Sequence, residues 1–171
     1  NAILSSYLSL GRPGGQLRPT KVDVRDALDA IEFLLRSEAR TNSVRLSYAV
    51  PSHPVWVLAD DNALKQVFIN LAKNLEIALS SNAGRVQVAF ADTGPGIPLE
   101  LMDQVLRPFF TTKPQGTGLG LSVSRELLAQ MGGSLQIDRS RKPGARVIVE
   151  LPAYLERQPG MAAGAEPGSW V

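Results

Sequence analysis

From Val24 onward the apolar residues Ala27, Leu28, Ile31, Leu34 and Leu35 recur at intervals of three and four. That spacing lays them along one stripe of a helix, with Asp23 placed to cap its first turn. The same signature returns where Leu64, Val67, Phe68, Leu71, Leu75 and Ala78 form a second stripe behind Asp60 and Asp61. Between the two, the pattern changes to alternation: VRLSYAV (44–50) and VWVL (55–58) read as strands joined across Pro51 and Pro54. RVQVAF (85–90) alternates as well and runs into ADTGPGIP, whose glycines and prolines end it. Residues 99–115 hold no sustained period beyond one candidate helical turn. Ser122 to Met131 reads as a third helix stopped by Gly132 and Gly133, and SLQID and ARVIVEL form strands around a KPG turn.

The two ends differ from this body. Ile3, Leu4, Tyr7, Leu8 and Leu10 read as the last turns of a helix stopped by Gly11 and Pro13, with a linker through Pro19. The tail from Arg157 is rich in Gly, Ala and Pro and is expected to be disordered. The order α, β, β, α, β, loop, α, β, β predicts an α/β fold: a two-layer α/β sandwich whose mixed sheet of about five strands is covered on one face by helices.

Composition narrows the class without choosing a function. A chain of 171 residues, 44% hydrophobic and 20% charged, suits one globular domain. Eighteen Lys and Arg interspersed with sixteen Asp and Glu leave a formal charge of +2, which gives no footprint for nucleic acid. With no cysteine there is no disulfide, thiolate metal site or cysteine nucleophile. No apolar run approaches the roughly 20 residues that span a bilayer. The chain opens inside an apolar pattern without an initiator Met, so it is expected to be a fragment of a longer protein.

Three places carry candidate chemistry. Asn70 and Asn74 fall together at one edge of the second stripe, where both amide oxygens can face one hard cation that keeps waters and bridges phosphates. Two solvent-edge asparagines are the alternative. Asp92 closes a strand just before Thr93-Gly94-Pro95-Gly96, and its carboxylate can accept from an amino group of a flat ligand. A plain Asp-Gly turn would look the same. Gly116-Thr117-Gly118-Leu119-Gly120-Leu121 opens the third helix, where free backbone N–H groups favour a phosphate. Its GxGxG spacing is neither a P-loop nor a dinucleotide fingerprint, and a ligand-free hinge remains open.

Taken in order, these stretches resemble the ATP-binding catalytic domain of sensor histidine kinases. That is the Bergerat or GHKL fold shared with gyrase, heat-shock-90 and MutL ATPases. The resemblance covers about residues 20–153 and is nearest to the nitrogen-regulation and oxygen-sensing branches. QVFINLAKNLEIAL looks like the N box, ADTGPGI the first glycine box, RPFFTTK the F box, and GTGLGLSVSRELL with MGGSL the second glycine box.

The resemblance implies ATP and Mg²⁺ as ligands. Asp92 would accept the adenine amino group, with Gly94, Gly96 and Ile97 beside it. Residues from about Ile97 to Gly116 would form a lid anchored by Phe109 and Phe110, bringing Phe110, Thr111, Thr112 and Lys113 toward the phosphates. Gly116, Thr117, Gly118, Leu119, Gly120 and Leu121 would cradle those phosphates, and Asn70 and Asn74 would hold the metal. Asn70, Asn74 and Lys113 are the implied catalytic residues. ATPase relatives carry a glutamate base where this chain has Asn70, which favours phosphoryl transfer over hydrolysis.

The acceptor would be a histidine on the dimerisation domain of the same protein, a homodimer at full length, with a response regulator downstream. Residues 1–19 would be the end of that domain and a linker, 20–156 the catalytic domain, and 157–171 a tail. His53 lacks an acceptor context and is expected at the surface. No nucleic acid or membrane contact is expected, and the setting is cytoplasmic, with any membrane anchor elsewhere in the full-length protein. A degenerate docking module of the same fold, a GHKL ATPase and a serine kinase of a partner remain as alternatives. Two departures stand out: Leu75 replaces the family's usual alanine, and only one clear strand precedes Asp92, which leaves the sheet one strand short with an open edge.

Overall fold

A computed structural model describes residues 16–42, 47–72, 76–82, 84–114, 116–140 and 143–155. The elements in chain order are β1 (Thr20–Asp23), α1 (Val24–Asn42), β2 (Ser47–Ala49), β3 (Trp56–Ala59), α2 (Asp61–Leu71), β4 (Glu76–Asn82) and β5 (Arg85–Ala91). After a short 3₁₀ turn at Leu99–Leu101 come α3 (Gly120–Gln130), β6 (Ser134–Ile137) and β7 (Arg146–Pro152). The opening apolar segment and the tail from Arg157 lie outside the described residues.

Five strands form a mixed sheet in the order β2-β4-β5-β7-β6, parallel between β2 and β4 and antiparallel elsewhere. Alternate residues of each long strand face the core: Ile77 and Leu79 on β4, Val86, Val88 and Phe90 on β5, Val149 and Leu151 on β7. They meet Leu28 and Ile31 of α1, Leu64, Val67 and Phe68 of α2 and Leu128 of α3. The helices therefore cover one face, and the structure is the expected two-layer α/β sandwich. Phe68 and Phe90, both fully buried, sit with ring centroids 5.5 Å apart and fix α2 over β5.

The strand that seemed missing is present. Helix α2 ends at Leu71, where the Ala72 N–H reaches back to the Phe68 carbonyl, and the chain from Glu76 is extended. Residues that look like the continuation of a helical stripe thus become β4, which pairs along its whole length with β5 from Glu76↔Ala91 to Asn82↔Arg85. A two-residue connection closes this hairpin, with Gly84 at φ +76° supplying its left-handed position. Pairing explains the switch: as a helix, the segment would leave β5 with an unsatisfied edge, and as a strand it buries Ile77 and Leu79 while satisfying that edge. Asn74 and Leu75 lie outside the described residues, beyond the end of α2.

A second, two-stranded sheet pairs β1 with β3. Strand β1 escaped sequence reading because its four residues, TKVD, bury only Val22 and Asp23. The two sheets are joined where the Tyr154 N–H donates to the Trp56 carbonyl at 2.7 Å and Val57 bridges Ala153. Leu17 packs on the core and the Arg18 N–H donates to Asp60 Oδ2, so the chain before β1 is already tied to the domain.

Two aspartates hold the helix starts. Asp60 caps α2 by accepting from the Ala63 N–H at 3.0 Å. Asp23, only 4% exposed, accepts from the N–H groups of Arg25 and Val55 and from the Arg25 guanidinium. Burial pushes the Asp23 carboxyl up, but those bonds outweigh it and hold its pKa below the ordinary 3.8. A group whose pKa is lowered by folding contributes stability above its unfolded value, and that contribution is lost as pH falls through the folded one. Asp23→Ala should cost about 2–3 kcal/mol in urea unfolding at pH 7, because the buried Val55 N–H loses its acceptor. The deficit relative to the parent chain should shrink as pH falls below the ordinary carboxylate range; a cost under about 0.5 kcal/mol at pH 7 would contradict this role for Asp23.

Candidate functional site

Asp92 follows the last residue of β5 and shares the core-facing side of that strand with Phe90. Its N–H donates to the Ala145 carbonyl at 2.9 Å, which carries the β5–β7 ladder one bond further. Its side chain is held with equal definition. Oδ1 accepts from the Gly94 N–H at 2.8 Å and from the Ala145 N–H at 3.1 Å, and Oδ2 takes neither bond. One carboxylate oxygen is thus committed to the backbone, and the other is available to a donor from outside.

The turn before β7 makes this possible. Gly144 is buried at φ +88°, and a Cβ there would overlap the carbonyl oxygen of Asp92. Any larger residue would push Ala145 away from the carboxylate. Gly96, at φ +79°, lies against the carbonyl of Gly144, and Ile97 beside it is half-buried. The sequence reading treated KPG only as a turn signal, so Gly144 and Ala145 were missed. A glycine after proline marks a turn, and nothing in the sequence reveals which backbone the turn lies against.

The glycines at the start of α3 fit against the segment before them. Gly118 has φ +67°, and a Cβ there would come within 2.7 Å of both the Phe109 carbonyl oxygen and the Phe110 nitrogen. Gly116 likewise lies beside Thr111 and Lys113, with room for no side chain next to the Thr111 hydroxyl. These residues let residues 108–113 fold back onto the helix start. Thr117 is exposed, Leu119 and Leu121 are half-buried, and Leu121 packs on the core.

Residues 99–115 were expected to be irregular with one helical turn. The 3₁₀ turn at Leu99–Leu101 supplies the helical turn, and the residues after it run through further turns, stitched by bonds such as Gln104 N–H to Leu101 O and Arg107 N–H to Gln104 O. Met102, buried, and Leu106, packed on the core, attach this segment to the body. Phe109 was assigned that anchoring role and does not fill it: its side chain is 76% exposed and its φ is +66°. The left-handed backbone that meets Gly118 turns the ring outward, while Phe110 is half-buried. Thr111 Oγ1 accepts from the Lys113 N–H at 3.1 Å, and Thr111, Thr112 and Lys113 are all exposed.

Asn70 lies in the last turn of α2, against α3. Its Nδ2 is 3.4 Å from the Gly120 carbonyl and 3.3 Å from Ser124 Oγ. Of the expected pair, only Asn70 lies within the described residues; Asn74 is outside them. Among the described residues no group of three or more His, Cys, Asp or Glu gathers to hold a metal ion. His53 is exposed, as expected. No helix among the described residues is long and apolar enough to cross a membrane.

A strand-terminal carboxylate, glycine-opened α3 and the end of α2, set over a mixed sheet, define an α/β sandwich of the Bergerat class. Residues 59–155 match the family described as histidine kinase-, DNA gyrase B- and HSP90-like ATPase, and the chain belongs to that family. Sporulation kinase A of Bacillus subtilis (strain 168) is 29% identical over 160 residues, which take in 88% of this chain and 26% of that protein. Among solved structures, the catalytic domain of histidine kinase ThkA aligns with a TM-score of 0.73 at 30% identity, covering 80% of this chain and 96% of that one. ThkA in complex with response regulator protein TrrA matches at 25% identity and a TM-score of 0.73, over 90% of this chain and 48% of that one. Full-length ShkA in complex with AMPPNP matches at 28% identity and a TM-score of 0.73, over 89% and 36% respectively. The chain spans about a quarter to a third of the length of the first curated relatives it matches.

Gly144 and Gly84 share a left-handed backbone, but a Cβ at Gly84 would meet nothing within 4 Å. Comparing alanine at each position separates backbone strain from the close approach to Asp92. Gly84→Ala should cost about 1 kcal/mol and Gly144→Ala at least about 2 kcal/mol more. Equal losses in thermal melts of the two variants would show that the contact with Asp92 is not needed.

Proposed function

We propose that this chain binds Mg-ATP and is the catalytic domain of a two-component sensor histidine kinase, transferring the γ-phosphoryl group to a histidine on a dimerisation domain of the same protein. The observation that carries the reading is the divided carboxylate of Asp92. With Oδ1 held by Gly94 and Ala145, Oδ2 can accept from the amino group of adenine. Guanine would set a carbonyl oxygen against that carboxylate, leaving two acceptors facing each other, so ATP is preferred to GTP. Gly94, Gly96 and Ile97 flank the base.

The phosphates are assigned to the start of α3, where the positive end of the helix and the backbone N–H groups of Thr117, Gly118, Leu119, Gly120 and Leu121 favour an anion. The Gly116 N–H is spent on the Lys113 carbonyl at 3.0 Å, and Gly116 contributes the close approach that a side chain would block. Phe110, Thr111, Thr112 and the Lys113 ammonium close over them from the preceding segment. Asn70, with Asn74, supplies neutral amide oxygens to Mg²⁺, a hard cation that accepts such ligands while keeping waters. Mg²⁺ held there would supply neutralisation of the phosphate charge. The residues themselves position the γ-phosphoryl group and contribute no base, since an amide accepts no proton. A bound water is thus left unactivated, and transfer goes to an imidazole brought from another domain.

Support for this assignment comes from the family match and from the relatives, ShkA with AMPPNP and ThkA with TrrA among them. The proposed partners are the histidine-bearing domain, in a homodimer at full length, and a response regulator. Residues 20–156 constitute the proposed catalytic domain.

Asp92→Asn gives a direct test. An asparagine can keep its oxygen on the Gly94 and Ala145 amides, so the variant folds, but its NH₂ group then faces the adenine amino group donor to donor. Calorimetric titration should show ATP binding to the parent chain and at least about tenfold weaker binding to the variant, with thermal stability little changed. Unaltered affinity in the variant contradicts the adenine assignment. Steady phosphate release by the parent chain without an acceptor would instead favour a hydrolase.

A further inference from the structure

We propose that Ser124, which touches neither nucleotide nor metal in this account, is a positioning residue that sets the direction of the Asn70 amide oxygen. The inference rests on the Mg-ATP reading above and names a residue which that reading does not use.

Asn70 sits one residue before the end of α2, so no further turn of its own helix packs below it. Its orientation is decided across the helix interface instead. The Gly120 carbonyl can only accept, so the pole of the Asn70 amide that approaches it must be the NH₂ group. Ser124 Oγ is the second acceptor, 3.3 Å away, and Ser124 is 0% exposed. A fully buried hydroxyl needs a hydrogen-bond partner, and here that partner is Asn70. With both N–H bonds directed at α3, Oδ1 faces away from that helix, free to meet a cation held on phosphates.

The chemistry of the pair gives it a distinct signature. Removing the Ser124 hydroxyl leaves Nδ2 only its 3.4 Å contact with Gly120. The amide then samples orientations that turn Oδ1 from the metal, while Asp92 and the backbone around it are untouched. Metal dependence should change and metal-free nucleotide binding should not. A residue that merely filled space would weaken both together.

The experiment titrates Mg²⁺ into the full chain at fixed ATP, and separately titrates ATP in excess chelator. It compares the parent with Ser124→Ala, Asn70→Ala and the double variant. Ser124→Ala should raise the half-saturating Mg²⁺ concentration about three- to tenfold, with metal-free ATP affinity within about twofold of the parent. In the double variant, Ser124→Ala should add nothing to the effect of Asn70→Ala, since the hydroxyl acts through that amide. Unchanged Mg²⁺ dependence in Ser124→Ala, equal loss of both affinities, or additive effects in the double variant overturns the inference alone. Absence of ATP binding by the parent chain overturns the Mg-ATP reading and the inference with it.

Discussion

The contact between Asp92 and the backbone at Gly144-Ala145 is the constraint on which this structure depends. It is small: the Ala145 N–H on Oδ1, which also takes the nearby Gly94 N–H, and one backbone bond from the Asp92 N–H to the Ala145 carbonyl. Yet it joins the end of β5 to the entry of β7, the two strands at the centre of the sheet's antiparallel part. It also fixes which oxygen of Asp92 is spent and which is available. The contact exists because residue 144 has no side chain to place between the two backbones.

A second set of contacts ties the end of α2 and the start of α3 together. Phe68 against Phe90 seats α2 over β5, which places Asn70, two residues further along α2, on the side of the helix end. Asn70 reaches α3 through Gly120 and Ser124, and Gly118 draws the backbone of Phe109 and Phe110 onto the start of α3. The glycines of GTGLG thus serve packing first. Their cost in backbone freedom is offset within the chain, by close approach between the helix start and the turns before it. Local geometry, packing and site chemistry converge at those positions.

The fold class and the ordered motifs were legible because they are local. Period-3.6 stripes at Ala27–Ile31 and Leu64–Leu71, alternation at Val86–Phe90, and glycines at fixed offsets each announce themselves within about ten residues. What was not legible depended on partners distant in sequence. EIALSSN has helix-forming residues and continues a helical stripe, and only the need of β5 for a neighbour makes it a strand. β1 is too short and polar to stand out. The resemblance implied an anchoring role for Phe109, and its left-handed backbone against Gly118, which leaves the ring exposed, is a tertiary fact. Gly144 and Ala145 carry no motif of their own, and Ser124 sits inside the second glycine box without standing out in it; each matters through a contact more than 50 residues away in the chain.

Structure determination of the chain with a non-hydrolysable ATP analogue and Mg²⁺ tests the central claim most directly. The account predicts the adenine amino group on Oδ2 of Asp92, with Oδ1 still on Gly94 and Ala145, and the phosphates over the first turn of α3. An analogue bound with its base away from Asp92, or with its phosphates turned from that helix start, would contradict it.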